Sequence, residues 1–337
     1  MSSWRKILWP LVPLYAVITS SRNLLFDLGI LSQKKFRTPV LAVGNLSTGG
    51  SGKTPMVELL LRKLDHHKCG FVSRGYGRKT RGPRLIKASD KVQDIGDEPW
   101  QIMQKFPGLK AAVAEKRARG IEMLLGTSDP PELIILDDAF QHRHVKPKVN
   151  LLLTTWQKPF FRDYLLPAGD LRESRAGHHR ADILVVTKCP ANIEEKDRRD
   201  FLLQMGIRDR PVFFSGIEYG EPVNARGEKL PRGTGEVNLL TGIADAQSIK
   251  ERLIREYRLQ HHWQYGDHHH FVQKEIEALE AATLPILTTE KDWARLRDRI
   301  SKDLAGRLYR WPIQTVIRFG QEAEFIELIT QKLDLNQ

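Results

Sequence analysis

The sequence predicts an α/β protein whose first domain is a P-loop-type α/β/α sandwich, and three observations point to it. Apolar runs alternate with helical stretches from residue 37 onward, those runs are continuous, and one of them feeds a glycine-rich loop that opens a helix. Continuous apolar strands belong to a sheet covered on both faces, hence to parallel strands joined by crossover helices. The runs lie at 39–44 (PVLAVG), 69–73 (CGFVS), 133–137 (LIILD), 150–154 (NLLLT) and 182–187 (DILVVT). Others follow at 211–215 (PVFFS), 237–240 (VNLL) and 285–289 (PILTT). Between them, EYGEPVNARGEKLPRGTG at 218–235 is rich in Gly, Pro and charge, as connections are. The expected organisation is an N-terminal segment 1–36, a P-loop domain 37–217, a linker 218–236 and a smaller C-terminal α/β domain 237–337.

Residues 7–21 (ILWPLVPLYAVITSS) carry no charge and lie between Arg5-Lys6 and Arg22. Interrupted by Pro10 and Pro13, this run is shorter than the roughly 20 residues a helix needs to cross a bilayer. A secretory leader would end in a small-residue cleavage site, whereas here apolar residues continue through Leu24, Leu25, Phe26, Leu28 and Ile30. Trp4, Trp9 and Tyr15 are residue types of the membrane interface, so an amphipathic segment lying on the membrane is expected. The excess of 53 Lys+Arg over 41 Asp+Glu gives a net charge of +12. That balance suits an anionic membrane surface or a phosphorylated substrate. No basic patch interleaved with aromatics and no nucleic-acid-binding module is present, which argues against a nucleic-acid binder. Two cysteines, Cys69 and Cys189, cannot form a disulfide framework, and a reducing cytoplasm is expected.

The strand 39–44 runs into Asn45-Leu46-Ser47-Thr48-Gly49-Gly50-Ser51-Gly52-Lys53-Thr54, and Pro55 sits where a helix would begin. Val57, Leu60, Leu61 and Leu64 fall on one face of that helix, with Glu58, Arg62 and Lys63 expected outward. Backbone amides of Ser47, Thr48, Gly49, Gly50, Ser51 and Gly52 would cradle phosphate at the helix N-terminus. Lys53 would reach the β- and γ-phosphates and the Thr54 hydroxyl would ligate Mg²⁺. Ser47 stands where the strict motif has glycine. The run 133–138 ends in Asp137-Asp138, placed as the Mg²⁺-holding acid of P-loop proteins is, and Gln141 adds a nearby ligand type.

Three further segments are open to two interpretations each. Gly96-Asp97-Glu98-Pro99 fits a helix start capped by Asp97, and equally a general base for a hydroxyl. Asp267-His268-His269-His270, with His261 and His262 upstream, lacks zinc-site spacing and suits a single catalytic histidine better. The loops SRGYGR (73–78) and LPAGDLRES (166–174) follow strand-like runs, where ligands collect, and their arginines suit phosphate or plain solvent.

Together GNLSTGGSGKTP, SRGYGR, GDEP, LDDAFQHR, LPAGDLRES, VVTKC, DHHHF and TTEKD resemble, in order across 44–292, the tetraacyldisaccharide 4′-kinase family of lipid A synthesis. Within that pattern Ala139 replaces the more usual Gly and Ser174 the more usual Pro. The resemblance implies two α/β/α domains joined by a β-stranded linker, and an N-terminal helix at the cytoplasmic face of the inner membrane. It implies Mg²⁺-ATP as donor and the 4′-hydroxyl of an acylated glucosamine disaccharide 1-phosphate as acceptor, with no protein or nucleic-acid partner. By the matching motifs, Asp97 and His268 form a dyad that takes the hydroxyl proton. Asp138, Arg172 and Lys53 stabilise the transferring phosphoryl group, and Thr54, Glu98, Asp137 and Gln141 lie near Mg²⁺. Tyr76, Arg78 and Arg172 face the lipid substrate. The rival expectation is a P-loop NTPase that drives a partner protein, kept open by the Thr187-Lys188 and Lys291-Asp292 pairs, which faintly resemble guanine-reading loops.

Overall fold

Strand β1 (Val40–Asn45) is buried along its whole length because its two sides meet two different helical layers. Leu41 and Val43 pack with Met56, Leu60 and Phe71, while Val40 and Ala42 pack with Ile121 and Leu124. This is a computed structural model of the chain, describing residues 3–231, 233, 235–243, 246–267 and 269–335.

Seven more strands follow: β2 (Cys69–Ser73), β3 (Arg84–Leu85), β4 (Lys110–Val113), β5 (Leu133–Leu136), β6 (Val149–Thr155), β7 (Ile183–Thr187) and β8 (Val212–Tyr219). A second sheet comprises β9 (Glu236–Thr241), β10 (Arg258–Gln264), β11 (Ile286–Thr289) and β12 (Leu308–Trp311). The last strand, β13 (Ile313–Ile317), returns to the first sheet, whose order is β13-β8-β7-β6-β1-β5-β2-β4-β3. Only its outermost pairs, β13 with β8 and β3 with β4, are antiparallel. The small sheet, ordered β10-β9-β11-β12, is parallel throughout. Phe213 and Phe214 show the two-sided covering: Phe213 meets Phe325 of the Glu322–Leu333 helix, and Phe214 lies opposite with Phe201 and Val186.

The expected C-terminal unit 237–337 is therefore divided. Residues 313–335 complete the large sheet, leaving the small sheet as an insertion between β8 and β13. IQTVI lacks the continuous apolar run of a covered strand, and nothing local says which sheet edge it joins. The two crossings between the sheets lie side by side. Tyr219 pairs with Ile313, the Gly220 N–H donates to the Pro312 carbonyl at 2.9 Å, and the Trp311 indole donates to the Gly220 carbonyl at 2.9 Å.

The two sheets also dock through side chains. Ile95, Trp100 and Val113 of the large unit share one apolar cluster with Leu240, Phe271 and Trp293 of the small one. Among the described residues no helix is long and apolar enough to cross a membrane.

Candidate active site

The phosphate-binding loop joins β1 to the Lys53–Lys63 helix. Gly49 and Gly52 adopt φ of +94° and +81°, a region that side chains disfavour, and so fold the loop back over the helix start. Neighbouring segments hold it there. The Thr187 hydroxyl, at the end of β7, donates to the Ser51 carbonyl at 2.8 Å, and the Thr48 N–H donates to the Asp170 carbonyl at 2.7 Å. The loop floors a cavity of about 320 Å³ bounded also by Thr154, Thr155, Lys158 and Lys188, with room for a nucleotide's phosphates. The buried Ser51 hydroxyl has no partner among the described residues.

Lys53 extends from the first turn of the helix to Asn45 Oδ1 and Asp138 Oδ1, both at 3.4 Å. Asp138 also accepts from Arg172 Nη1 at 3.1 and 3.2 Å. Burial alone would raise the Asp138 carboxyl, but Lys53 and Arg172 outweigh it and hold Asp138 below the usual carboxylate range. Asp137 has the opposite environment. Burial, then the charges of Glu98 and Asp138, push it up to about 7 against Lys53 and Arg117. Its Oδ2 is 3.4 Å from the Ser73 hydroxyl, and its fully buried Oδ1 has no partner among the described residues.

That orphaned oxygen, beside Glu98 and Asp138 and at the end of the strand next to the Thr54 helix, fits a hard divalent cation, which takes oxygen ligands. Thr54, Asp137 and Glu98 are the residues suited to hold it. Gln141 is engaged elsewhere: its amide nitrogen donates to the Asn45 carbonyl at 2.7 Å and to Glu173 at 3.0 Å, and its oxygen faces Arg172 at 3.4 Å.

The GDEP segment starts the helix Asp97–Lys105. Gly96 has φ +92°, and a Cβ there would lie 2.6 Å from the Tyr76 carbonyl, so this glycine permits the SRGYGR loop to rest on the helix start. Asp97 occupies the first helical turn rather than capping it from outside. Its Oδ1 accepts the Glu98 N–H at 3.0 Å, and its Oδ2 is ion-paired with Arg295 of the small unit. Glu98 Oε1 pairs with Lys291 Nζ at 2.5 Å, also from the small unit. His268 lies outside the described residues. Its neighbour Asp267 is close enough for its charge to act on Lys291, the partner of Glu98.

Of the expected substrate residues, Tyr76 is exposed beside Gly96, and Arg172 is paired with Asp138. Arg78 is placed differently: its guanidinium is buried against the Gly82 carbonyl and Glu115, organising its own loop. Sequence inspection also missed Arg117. Buried, it donates to the Asp137 and Asp138 carbonyls at 3.2 and 3.4 Å and so fixes the strand end that carries both acids. An arginine twenty residues before the acids gives no local signal of that contact.

The helix Val12–Asp27 closes one side of the site. The Tyr15 hydroxyl donates to the Arg172 carbonyl at 2.9 Å, and Asn23 donates to Glu173 at 2.7 Å. Ile7, Leu11, Leu14, Ile18, Leu24 and Leu28 are exposed.

The family model for tetraacyldisaccharide-1-P 4′-kinase (LpxK) matches residues 4–334. The chain belongs to this kinase family. It is 41% identical to the tetraacyldisaccharide 4′-kinase of Flavobacterium johnsoniae, covering 99% of this chain and 100% of that one. It is 39% identical to that of Bacteroides thetaiotaomicron, over 95% of this chain and 91% of the relative. The crystal structure of LpxK from Aquifex aeolicus in complex with ATP superposes with a TM-score of 0.80 at 29% identity, covering 98% and 99% of the two chains. The Aquifex aeolicus protein therefore shares the fold, and its structure holds ATP. The segments that kept a partner-driving NTPase open have other work in this kinase. Thr187 ties down the phosphate loop, and Lys291 and Asp292 pair with Glu98 and Arg295.

Proposed function

We propose that this kinase transfers the γ-phosphoryl group of ATP to the 4′-hydroxyl of an acylated glucosamine disaccharide 1-phosphate. The observation that carries the proposal is the chain of contacts leading from the phosphate loop: Lys53 meets Asp138, Asp138 meets Arg172, Arg172 meets Tyr15 of the apolar N-terminal helix, and the charge of Glu98 acts on Asp137 beside Asp138. Phosphoryl transfer needs mainly positioning and charge stabilisation. The loop amides and Lys53 would bind the β- and γ-phosphates, and Arg172 would shift between Asp138 and the transferring group. Asp97, acting with His268, would take the proton from the attacking hydroxyl. Mg²⁺, held by Thr54, Asp137 and Glu98, would neutralise phosphate charge.

The acceptor is anchored in a bilayer, so the enzyme comes to it. The exposed apolar side chains of the N-terminal helix and the +12 charge suit the anionic cytoplasmic surface of the inner membrane of a Gram-negative bacterium. The helix touches Arg172 through Tyr15, which would set the membrane surface next to the reacting groups. Incubation with γ-labelled ATP, Mg²⁺ and the acylated disaccharide 1-phosphate should label the lipid. Asp138→Asn should lower that rate by about 10²–10³-fold. ATP hydrolysis with no label in the lipid would refute the proposal.

A further inference from the structure

The helix Glu290–Leu296 of the small unit runs against the helix Asp97–Lys105 of the large one. Among the described residues three cations form ion pairs between the units. Lys105 bridges Glu58 at 2.8 Å and Glu290 at 2.6 Å, Lys291 meets Glu98, and Arg295 meets Asp97. The first involves neither GDEP acid; the other two end on them.

We propose that Arg295 and Lys291 are positioning residues for phosphoryl transfer, setting the Asp97 and Glu98 carboxylates in working orientation when the two units are docked. The inference rests on the site described under Proposed function.

Arg295 is a braced side chain. Its Nη1 donates to the Gly242 carbonyl at 3.1 Å and to Asp292 at 3.0 Å, leaving the opposite end of the guanidinium to meet Asp97. Asp292 is itself fixed, accepting from the Gly242 N–H at 2.8 Å and the Thr289 hydroxyl at 2.7 Å. The rigid arrangement runs from the end of β9 through β11 to one oxygen of Asp97, whose other oxygen holds the Glu98 N–H. Two partners at two oxygens fix the plane of the carboxylate, which a hydroxyl-activating acid requires. Arginine serves here because its planar fork reaches Gly242, Asp292 and Asp97 at once, which an ammonium on a flexible stem does not.

Lys291 acts on the second acid. Its Nζ lies 2.5 Å from Glu98 Oε1, on the helix that also carries Arg295. Without Lys291, Glu98 would lose its ion-pair partner while its charge still bears on Asp137. The large unit thus carries the acids, and the small unit carries the charges that orient them.

Steady-state kinetics on the full chain, with ATP and the acylated disaccharide 1-phosphate, tests this. Arg295→Gln should lower kcat by about 100-fold with KM for ATP within about twofold, the signature of misplaced reacting groups behind an intact nucleotide site. Lys291→Gln should lower kcat by about tenfold. Arg295→Lys keeps the charge and so holds the fold; it should recover about tenfold of the loss and carries the test where Arg295→Gln does not fold. Lys105→Met, which removes the bridge between Glu58 and Glu290 and leaves Asp97 and Glu98 untouched, should lower Tm while leaving kcat within about threefold. Normal kcat in Arg295→Gln or Arg295→Lys beside a crippled Asp97→Asn overturns the inference alone, as does an equal kcat loss in Lys105→Met. Normal turnover in Asp97→Asn overturns the site assignment and the inference with it.

Discussion

Glu58 shows at the scale of one residue how a local pattern can mislead. Helical periodicity places it outward with Arg62 and Lys63, yet it is buried, with Gln101 Nε2 at 2.8 Å and Lys105 Nζ at 2.8 Å. The helix Lys53–Lys63 has no solvent face at that position because the GDEP helix covers it, a contact made across more than forty residues of sequence. Burial raises the Glu58 carboxyl above its ordinary value, with Lys105 opposing. A folded-state pKa raised above the unfolded one means that the native state holds the proton longer. Its contribution to stability is fully present below the unfolded value and is lost as pH rises through the folded one. Glu58→Gln removes that dependence. The Tm difference, variant minus wild type, should therefore be more positive at pH 8 than at pH 4.5 when both are followed by calorimetry. An identical difference at the two pH values would show that Lys105 fully compensates the buried charge.

Elements built from local signals were legible in the sequence; those defined by distant partners were not. Strand, glycine loop and helix are contiguous, so residues 39–64 announce the phosphate site without help. LIILDD is likewise local, and so is the apolar N-terminal run. By contrast β10, with the polar sequence RLQHHWQ, and β13 carry no covered-strand pattern, because each forms a sheet edge with one side open. Arg117 and Arg295 give no local signal of their partners, and Lys291 stands out only in the TTEKD motif and in a pair resembling a guanine-reading loop, until the fold brings the three to Asp137, Asp97 and Glu98. The N-terminal helix lies between these cases: its apolar character was readable, its inner contacts were not. Tyr15, Asn23 and Phe26 face the protein, while Leu14 and Ile18 are 60% and 59% exposed. Replacing both with Glu, Leu14→Glu with Ile18→Glu, should weaken binding to anionic phospholipid vesicles by at least about tenfold, since each buried aliphatic side chain contributes about 1.5–3 kcal/mol. ATP binding and Tm should be unchanged, because neither side chain packs against the protein. Unaltered sedimentation with vesicles would assign docking to another surface.

The whole molecule is a nine-stranded sheet that carries a second, four-stranded sheet as an insertion, and this topology separates folding from catalysis. The large sheet closes without the small one. β13 already pairs with β8, and Phe325, Ile329 and Leu333 already cover Phe213 and Leu151. Since the Gly220 N–H meets the Pro312 carbonyl, a turn of about four residues can join those positions and replace the entire insertion. The excision uncovers Ile95 and Trp100, which share the apolar cluster with Trp293, so Trp100→Gln accompanies it to keep the new surface wettable. The shortened protein should melt cooperatively and bind ATP, because the phosphate loop and the Thr187, Asp170 and Asp138 contacts that hold it all remain. It should transfer no phosphoryl group to lipid, because Arg295, Lys291 and His268 leave with the insertion while Asp97 stays behind unoriented. Aggregation without a cooperative transition would show that the large sheet needs its insertion to fold. Retained transfer would show that the acids of the large unit orient themselves, and would place all the chemistry on one side of the cleft.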